Sequence, residues 1–363
     1  MVASATIHRA KQRVFTVTLS SSGRRFAVAP GETVLEAAQR AGVALPYSCR
    51  SGVCGSCRAV LLDGSCVYPH NPPVALSAGD VARHAVLLCQ AVPTSDLRLE
   101  VREVASVHDV ARRQLDVVVV AKQRLAADVI GLHLQPAPGQ LRLIWLPGQY
   151  LDVLLEDGRR RPFSIANVAS PDGSIELHVR HVAGGGFTTW VDETLQVGDR
   201  LRIEGPLGTF VPREHSERPM LFMAGGTGFA PIKAIVEHFM ALGTRRPMHV
   251  YWGARSAADL YMRPLAESWA RALPNLDFQP VVSDPALAGG LRSALVHEAV
   301  LQDHPRLAGH DVYMSGPPAM IELAHPLFTA AGLPEDRLYY DSFEYAPDVL
   351  AQILAARAGL SHR

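Results

Sequence analysis

The sequence predicts a multidomain protein: an α+β unit, then an antiparallel β-barrel, then an α/β unit built on a parallel sheet. Three observations lead there. The chain has 363 residues, more than the roughly 250–300 that a single hydrophobic core holds. Its middle part is a series of short apolar runs punctuated by glycine and proline, the pattern of antiparallel strands. Its last part alternates apolar strands with amphipathic helices, the pattern of a parallel sheet with crossovers. The three blocks are placed at residues 14–104, 112–214 and 217–350.

Composition excludes several classes. Apolar residues make up 48% and charged residues 19%, an ordinary globular balance. The 35 Lys and Arg match the 35 Asp and Glu, so no nucleic-acid partner is expected. The longest apolar runs, such as Val117–Ala121, fall far short of the roughly 20 residues of a membrane span, so no membrane is expected either. The opening stretch MVASATIHRAKQRVF lacks the apolar core of a secretory signal. Five cysteines without such a signal point to a reducing, cytoplasmic setting, where clustered thiols bind metal or do redox work more often than they form disulfides. No repeat of 20–50 residues is visible, which removes solenoids and propellers.

In the first block, Val14–Leu19 and Arg24–Val28 flank a Ser-Ser-Gly turn and read as a hairpin. Thr33 and Glu36 have capping-box spacing, and Gly42 ends the helix they start. A cysteine-rich loop and a strand at Arg58–Leu62 follow, which together fit a β-grasp domain. The polar, basic segment Ala105–Arg113 reads as a hinge. Strands of the second block are expected at Leu115–Lys122, Val129–Gln135, Gln149–Leu155, Ile175–Val182 and Arg200–Gly205. The third block is expected to hold strands Met220–Ala224, His249–Trp252, Phe278–Val282 and Val312–Ser315, with helices Ile232–Leu242, Pro264–Leu273 and Ala319–Ala331.

The cysteine loop carries the most specific chemistry. Cys49, Cys54 and Cys57 have C-x4-C-x2-C spacing, and Cys89 follows at a distance. Four thiolates so spaced are the plant-type arrangement for a [2Fe–2S] cluster. Gly52 and Gly55 let the backbone wrap closely, since they lack a Cβ and tolerate positive φ. A zinc ribbon would show two C-x2-C knuckles, and only one is present. Cys66 has no spacing partner and reads as a small buried residue. On this signature the first block resembles a plant-type ferredoxin.

Arg161-Pro162-Phe163-Ser164 resembles the R-x-Y-S signature of the ferredoxin–NADP reductase family. The resemblance implies a flavin site: Arg161 on the flavin phosphate, Phe163 (tyrosine in the family) beside the ring, and Ser164 near its reactive nitrogen. Arginine suits the phosphate because its planar fork matches the oxygens. His178-Val179-Arg180 resembles the family's second flavin-contacting strand. Gly184, Gly185 and Gly186 then lead into a short helix with Thr188 in its first turn, and exposed amides at such a start favour a pyrophosphate. A flavin also answers a chemical need, because a nicotinamide gives up a hydride while an iron–sulfur cluster moves single electrons. Among relatives, an N-terminal ferredoxin goes with FAD.

Gly225, Gly226, Thr227 and Gly228 form a glycine turn between a strand and a helix, which lets the backbone approach a pyrophosphate. The turn resembles the reductase family's G-G-T/S-G-x-x-P stretch, and Ser315-Gly316-Pro317 resembles its C-G-P-P turn, with serine for cysteine near the nicotinamide. An aromatic near the C-terminus covers the flavin in that family, and Phe343, then Tyr345, are the candidates. NADH is the expected nucleotide, while Arg255 with Ser256 also accommodates the 2′-phosphate of NADPH.

The whole chain therefore resembles the reductase components of bacterial multicomponent oxygenases and the CDP-6-deoxyglucoseen reductase family. The resemblance implies electron flow from NAD(P)H through FAD and the cluster to a terminal oxygenase or another acceptor protein docking near the ferredoxin domain.

Overall fold

The computed structural model describes residues 13–69, 72–104, 111–182 and 186–343. Chain contacts divide the protein into two compact units, with the boundaries at Asp109/Val110 and Asp341/Ser342.

The first unit is a β-grasp fold. Strands β1 (Phe15–Leu19) and β2 (Arg25–Val28) form the expected antiparallel hairpin. Helix α1 (Val34–Arg40) starts at a complete Thr33/Glu36 capping box and buries Val34, Leu35, Ala37 and Ala38. Strand β3 (Arg58–Asp63) follows the cysteine loop, then β4 (Cys66–Val67), the short helix α2 (Ala78–Ala82), β5 (Ala85–Leu87), β6 (Val92–Pro93) and β7 (Leu97–Glu100). The main sheet runs β2-β1-β7-β3-β5. Its central strand β7 is the last of this sheet in sequence order and pairs in parallel with β1, Val17 opposite Leu97. Alternating residues of these strands, Val17, Leu19, Leu97 and Leu99, fill the core against α1. The ribbon of β4 with β6 was not expected, and it leaves Cys66 half-buried against that core rather than inside it.

The second unit holds two sheets. The first is antiparallel, built from β8 (Arg113–Ala126), β9 (Val129–Pro136), β10 (Tyr150–Leu154), β11 (Arg160–Ser164), β12 (Ile175–Arg180) and β13 (Arg200–Leu207). Its order is β11-β10-β13-β8-β9-β12. A bridge between Ile165 and Leu177 links the two edges into a barrel. Helix α3 (Gly186–Glu193) follows β12 and buries Phe187 and Val191. The barrel interior is apolar, with Val117, Leu132, Leu151, Ile165 and Ile203 among its fully buried residues.

The second sheet is parallel where its registers are defined. Its strands are β14 (Met220–Gly225), β15 (Met248–Ala254), β16 (Leu276–Val282), β17 (Arg292–Ser293), β18 (Asp311–Gly316) and β19 (Leu338–Ser342), in the order β17-β16-β15-β14-β18-β19. Helices α4 (Phe229–Ala241), α5 (Arg263–Ala272), α6 (Val296–Asp303) and α7 (Pro318–Ala330) connect them. β17, β19 and α6 go beyond the expected elements. Strands buried on both faces explain the unbroken burial of β14 and β18. Among the described residues no helix is long and apolar enough to cross a membrane.

Candidate functional site

In the first unit, the loop from Cys49 to Cys57 folds back on itself because Gly52 and Gly55 adopt φ of +78° and +79°. The backbone amides of Ser51 and Ser56 reach Cys49 and Cys54 Sγ at 3.4 Å each. The amide of Gln90 Nε2 donates to Arg50 O at 2.9 Å, which ties the loop to the residue after Cys89. All five cysteines are free thiols. Among the described residues, no three potential ligands gather round a single ion. The thiols stand two and two, Cys49 hydrogen-bonded with Cys54 and Cys57 with Cys89. Two pairs are what a two-iron cluster requires, two thiolates for each iron. The hydrogen bond from Cys54, with help from Ser51, draws the Cys49 thiol down to about 5. The hydrogen bond with Cys49 pushes Cys54 up and that with Cys89 pushes Cys57 up, with burial adding to each. The residues present fit the cluster.

In the second unit, β10 and β11 form a hairpin with Tyr150 opposite Ser164, which carries Arg161, Pro162, Phe163 and Ser164 along one barrel edge. Arg161 and Phe163 are half-buried and Pro162 is exposed. The Phe163 ring lies 5.7 Å from Phe187, which in turn lies 5.8 Å from Trp190. Phe187 and Trp190 were missed in the sequence; their signal was two aromatics on one face of the helix after the glycines. Ser164 Oγ donates to Asp341 Oδ2 at 3.1 Å. Asp341 was also missed, although it lies in the aromatic segment that contains Phe343. The hydroxyl of Thr188 accepts from the Val182 amide at 3.1 Å, fixing the approach to α3 beside Gly186. Gly185 and Tyr345 lie outside the described residues. Phe343 follows β19 and is half-buried.

On β12, Val179 is buried, and His178 has both ring nitrogens occupied by protein. Nε2 faces Glu176 Oε1 at 2.8 Å and Nδ1 faces the Tyr261 hydroxyl at 2.9 Å. The imidazole expected at the flavin therefore has no free donor or acceptor for a ligand. Glu176 also pairs with the buried Lys233 at 2.9 Å. Burial opposes its charge, but the His178 hydrogen bond and the Lys233 ammonium outweigh that and hold Glu176 down to about 2. A carboxylate so depressed stabilises the fold fully above its ordinary 4.5 and progressively less as the pH falls toward 2. Glu176→Gln is therefore expected to lower the melting temperature at pH 7 by about 5 °C. The gap to wild type should shrink as the pH falls from about 4.5 to 2. Circular-dichroism melts across that range check it, and a gap independent of pH would refute the assignment.

Arg180 closes the other side of β12. One guanidinium nitrogen meets Asp128 Oδ2 at 3.2 Å, while Nε and Nη2 are buried without a partner. The guanidinium faces the glycine turn, and a Cβ on Gly226 would lie 3.5 Å from it. Gly226–Gly228 form a single 3-10 turn between β14 and α4. Here Gly226 has φ +55°, and a Cβ on Gly228 would come within 2.1 Å of the Ser315 carbonyl. Trp252 Nε1 donates to Gly226 O at 2.9 Å and so holds the turn from behind. Thr227 is half-buried. The Ser315 hydroxyl is fully buried and unpartnered at the end of β18. Gly316 follows at φ +149°, its missing Cβ within 3.0 Å of Gly225 backbone atoms, and Pro317 is exposed. A cleft of about 370 Å³ opens here, lined by Arg180, Gly225, Gly226, Arg255 and Pro317 among others. Asp259, beside Arg255, is held by the amide and hydroxyl of Ser256 at 3.0 and 2.8 Å. Unpartnered guanidinium nitrogens above a glycine turn and an orphaned hydroxyl beside it fit a dinucleotide.

Three protein families match the chain in succession. They are described as a 2Fe-2S iron-sulfur cluster binding domain over residues 17–94, an oxidoreductase FAD-binding domain over 116–211 and an oxidoreductase NAD-binding domain over 222–325. The CDP-6-deoxy-L-threo-D-glycero-4-hexulose-3-dehydrase reductase of Yersinia pestis is 36% identical over 327 residues, 90% of this chain and 98% of that protein. The chain belongs to the iron–sulfur flavoprotein reductase family. Reductase component 1 of terephthalate 1,2-dioxygenase from Comamonas is 32% identical over 332 residues, 91% of this chain and 98% of that one. A solved cytochrome P450 reductase of Amycolatopsis is 34% identical with a TM-score of 0.71, over 91% of this chain and 98% of its own. As a member of the iron–sulfur flavoprotein reductases, the chain is an oxidoreductase that uses NAD(P)H, FAD and a [2Fe–2S] cluster in electron transport.

Proposed function

We propose that this reductase is the donor component of an oxygenase system, and that its acceptor protein docks over the Cys49–Cys57 loop. The exposure of that loop carries the reading. Cys49 and Cys54 are half-exposed while Cys57 and Cys89 are buried, so one end of the cluster site faces solvent and a partner. The bound groups supply two-electron oxidation of the nucleotide and one-electron delivery, at a potential near −400 mV for plant-type clusters.

The protein's part is to hold and orient. Arg161 pairs with the flavin phosphate, Phe163 stacks beside the ring, and Ser164, oriented by Asp341, presents its hydroxyl to the ring edge. Arg180 and the amides of Gly225–Gly228 take the nucleotide's pyrophosphate, and Ser315 stands at the nicotinamide. Thr188 and Gly186 support the flavin phosphates at the start of α3. Arg255 borders the ribose end of the cleft.

Removing the guanidinium of Arg161 is expected to weaken FAD binding by roughly 10- to 100-fold, the worth of a charge-assisted hydrogen bond. Titration of apoprotein by flavin fluorescence measures this, and an unchanged affinity would remove Arg161 from the site. The acceptor is tested by mixing NADH-reduced protein with candidate partners in a stopped-flow instrument. Rapid reoxidation by an oxygenase component, with none by a hexulose dehydrase, supports the proposal. The identity to the Yersinia pestis relative favours a dehydrase as the second reading, and the reverse result would establish it.

A further inference from the structure

A run of buried polar groups joins the barrel to the parallel sheet, and the functions assigned above leave it unused. Lys233, on α4, is buried, and its ammonium has three acceptors: Ala166 O at 3.1 Å, Glu176 Oε2 at 2.9 Å and Glu237 Oε2 at 3.1 Å. Three N–H groups meet three oxygens, so the charge is fully used. Across the carboxylate, Glu176 Oε1 meets His178 Nε2 at 2.8 Å. An ionised Glu176 can only accept, so Nε2 carries the proton and Nδ1 accepts from the Tyr261 hydroxyl at 2.9 Å. The Tyr261 ring stands edge-on to Trp252 at 5.1 Å and 87°, and the Trp252 indole donates to Gly226 O. One end of this run lies two residues beyond Ser164, and the other is the glycine turn.

Buried ion pairs are weak evidence for stability, because apolar side chains of similar volume often serve as well. Directional hydrogen bonds do something that apolar packing does not: they fix one distance and one angle between the elements they join. We propose that the run from Ala166 through Lys233, Glu176, His178, Tyr261 and Trp252 to Gly226, hydrogen-bonded at every step but the Tyr261–Trp252 ring contact, is a spacer. It sets the distance between the nicotinamide ring and the flavin ring, and Lys233 and His178 are positioning residues for hydride transfer. The inference rests on the flavin and nucleotide sites placed above. A misplacement of about 1 Å costs such a step on the order of 100-fold, so a spacer of this kind has a measurable effect on rate.

The test uses the full-length holoprotein and four variants. Lys233→Met keeps an unbranched side chain one atom shorter and removes the charge. His178→Leu removes both hydrogen bonds, whereas His178→Gln keeps one donor and one acceptor. Tyr261→Phe removes only a hydroxyl and guards against variants that fail to fold. In stopped-flow reduction by NADH, Lys233→Met and His178→Leu are expected to lower the limiting rate by about tenfold or more. Their Kd for NADH should change less than about twofold, and the long-wavelength band of stacked flavin and nicotinamide should weaken. His178→Gln should recover most of the rate, and Tyr261→Phe should lose about threefold. Without NADH, amide exchange should rise in β12 and at the start of α4 in the impaired variants. Wild-type rates, band and exchange in folded Lys233→Met or Tyr261→Phe protein would overturn the spacer. Failure of the wild type itself to take electrons from NADH would instead overturn the site assignments on which it rests.

Discussion

Replacing Cys57 with serine is expected to yield a protein that keeps its flavin but passes essentially no electrons to a protein acceptor. Cys57 is buried and hydrogen-bonded with Cys89. A serine hydroxyl is not deprotonated near neutral pH, so the inner pair would lose one of its two anionic ligands, and structural metal centres draw part of their loop's stability from such ligands. The visible iron–sulfur bands should disappear, and NADH-driven cytochrome c reduction should fall by roughly 100-fold. Ferricyanide reduction, which a flavin alone supports, should stay within about twofold of wild type. Cys66→Ser is the control, since Cys66 lies on β4 and hydrogen-bonds with neither thiol pair, so it should change none of these readouts. Iron–sulfur bands surviving in Cys57→Ser, or vanishing in Cys66→Ser, would displace the ligand assignment.

Alanine at Gly228 should produce a loss as large by purely steric means. The added Cβ would lie 2.1 Å from the Ser315 carbonyl oxygen, 2.4 Å from its carbon and 2.8 Å from Gly316 Cα. All three are backbone atoms, so no side chain can swing aside, and the turn must move away from β18. Reduction of the flavin by NADH should slow by about 100-fold, the cost of an ångström-scale displacement. Chemical reduction by dithionite should be unaffected. Gly226→Ala makes the contrast: its Cβ meets only the Arg180 side chain, at an ordinary contact distance of 3.5 Å. The remaining cost is the positive φ, roughly 1 kcal/mol or about fivefold. Equal losses in the two variants would show that backbone conformation, rather than the approach to Ser315, governs the turn.

Legibility followed distance along the chain. Cys49, Cys54 and Cys57 are read together because all three lie within nine consecutive residues, and the Thr33/Glu36 box lies within one helical turn. Strand β14 announced itself by an unbroken apolar run and β18 by Val312-Tyr313-Met314 before its glycine turn. The short strands β4 and β17, two residues each, carry no such pattern, since pairing alone defines them. Helix α6 is preceded at its N-cap by Leu295 rather than by a polar capping residue, which removed its clearest start signal. β19 was hidden because Tyr339, Tyr340 and Phe343 drew attention as aromatics rather than as a strand. The contacts between distant residues were illegible for a simple reason. Ser164 and Asp341 are 177 positions apart, and Lys233 and Glu176 are 57 apart. Only the folded sheets decide that they meet. His178 shows the same limit: its motif was visible, but its partner Tyr261, 83 positions away, depends on how the loop after β15 packs on β12.

The central place of β7 in the first sheet has a consequence for biosynthesis. Residues 15–19 emerge from the ribosome early, yet their parallel partner at 97–99 is made some eighty residues later. Until then the hairpin of β1 and β2 has an open edge, and β3 has no neighbour on its β1 side. A nascent chain that has already exposed all four cluster cysteines still lacks the middle of its sheet. A truncation between Cys89 and Leu97 should therefore give a fragment with a full set of thiols and no settled frame to hold them. Maturation of the cluster site is timed by a strand that contains no cysteine.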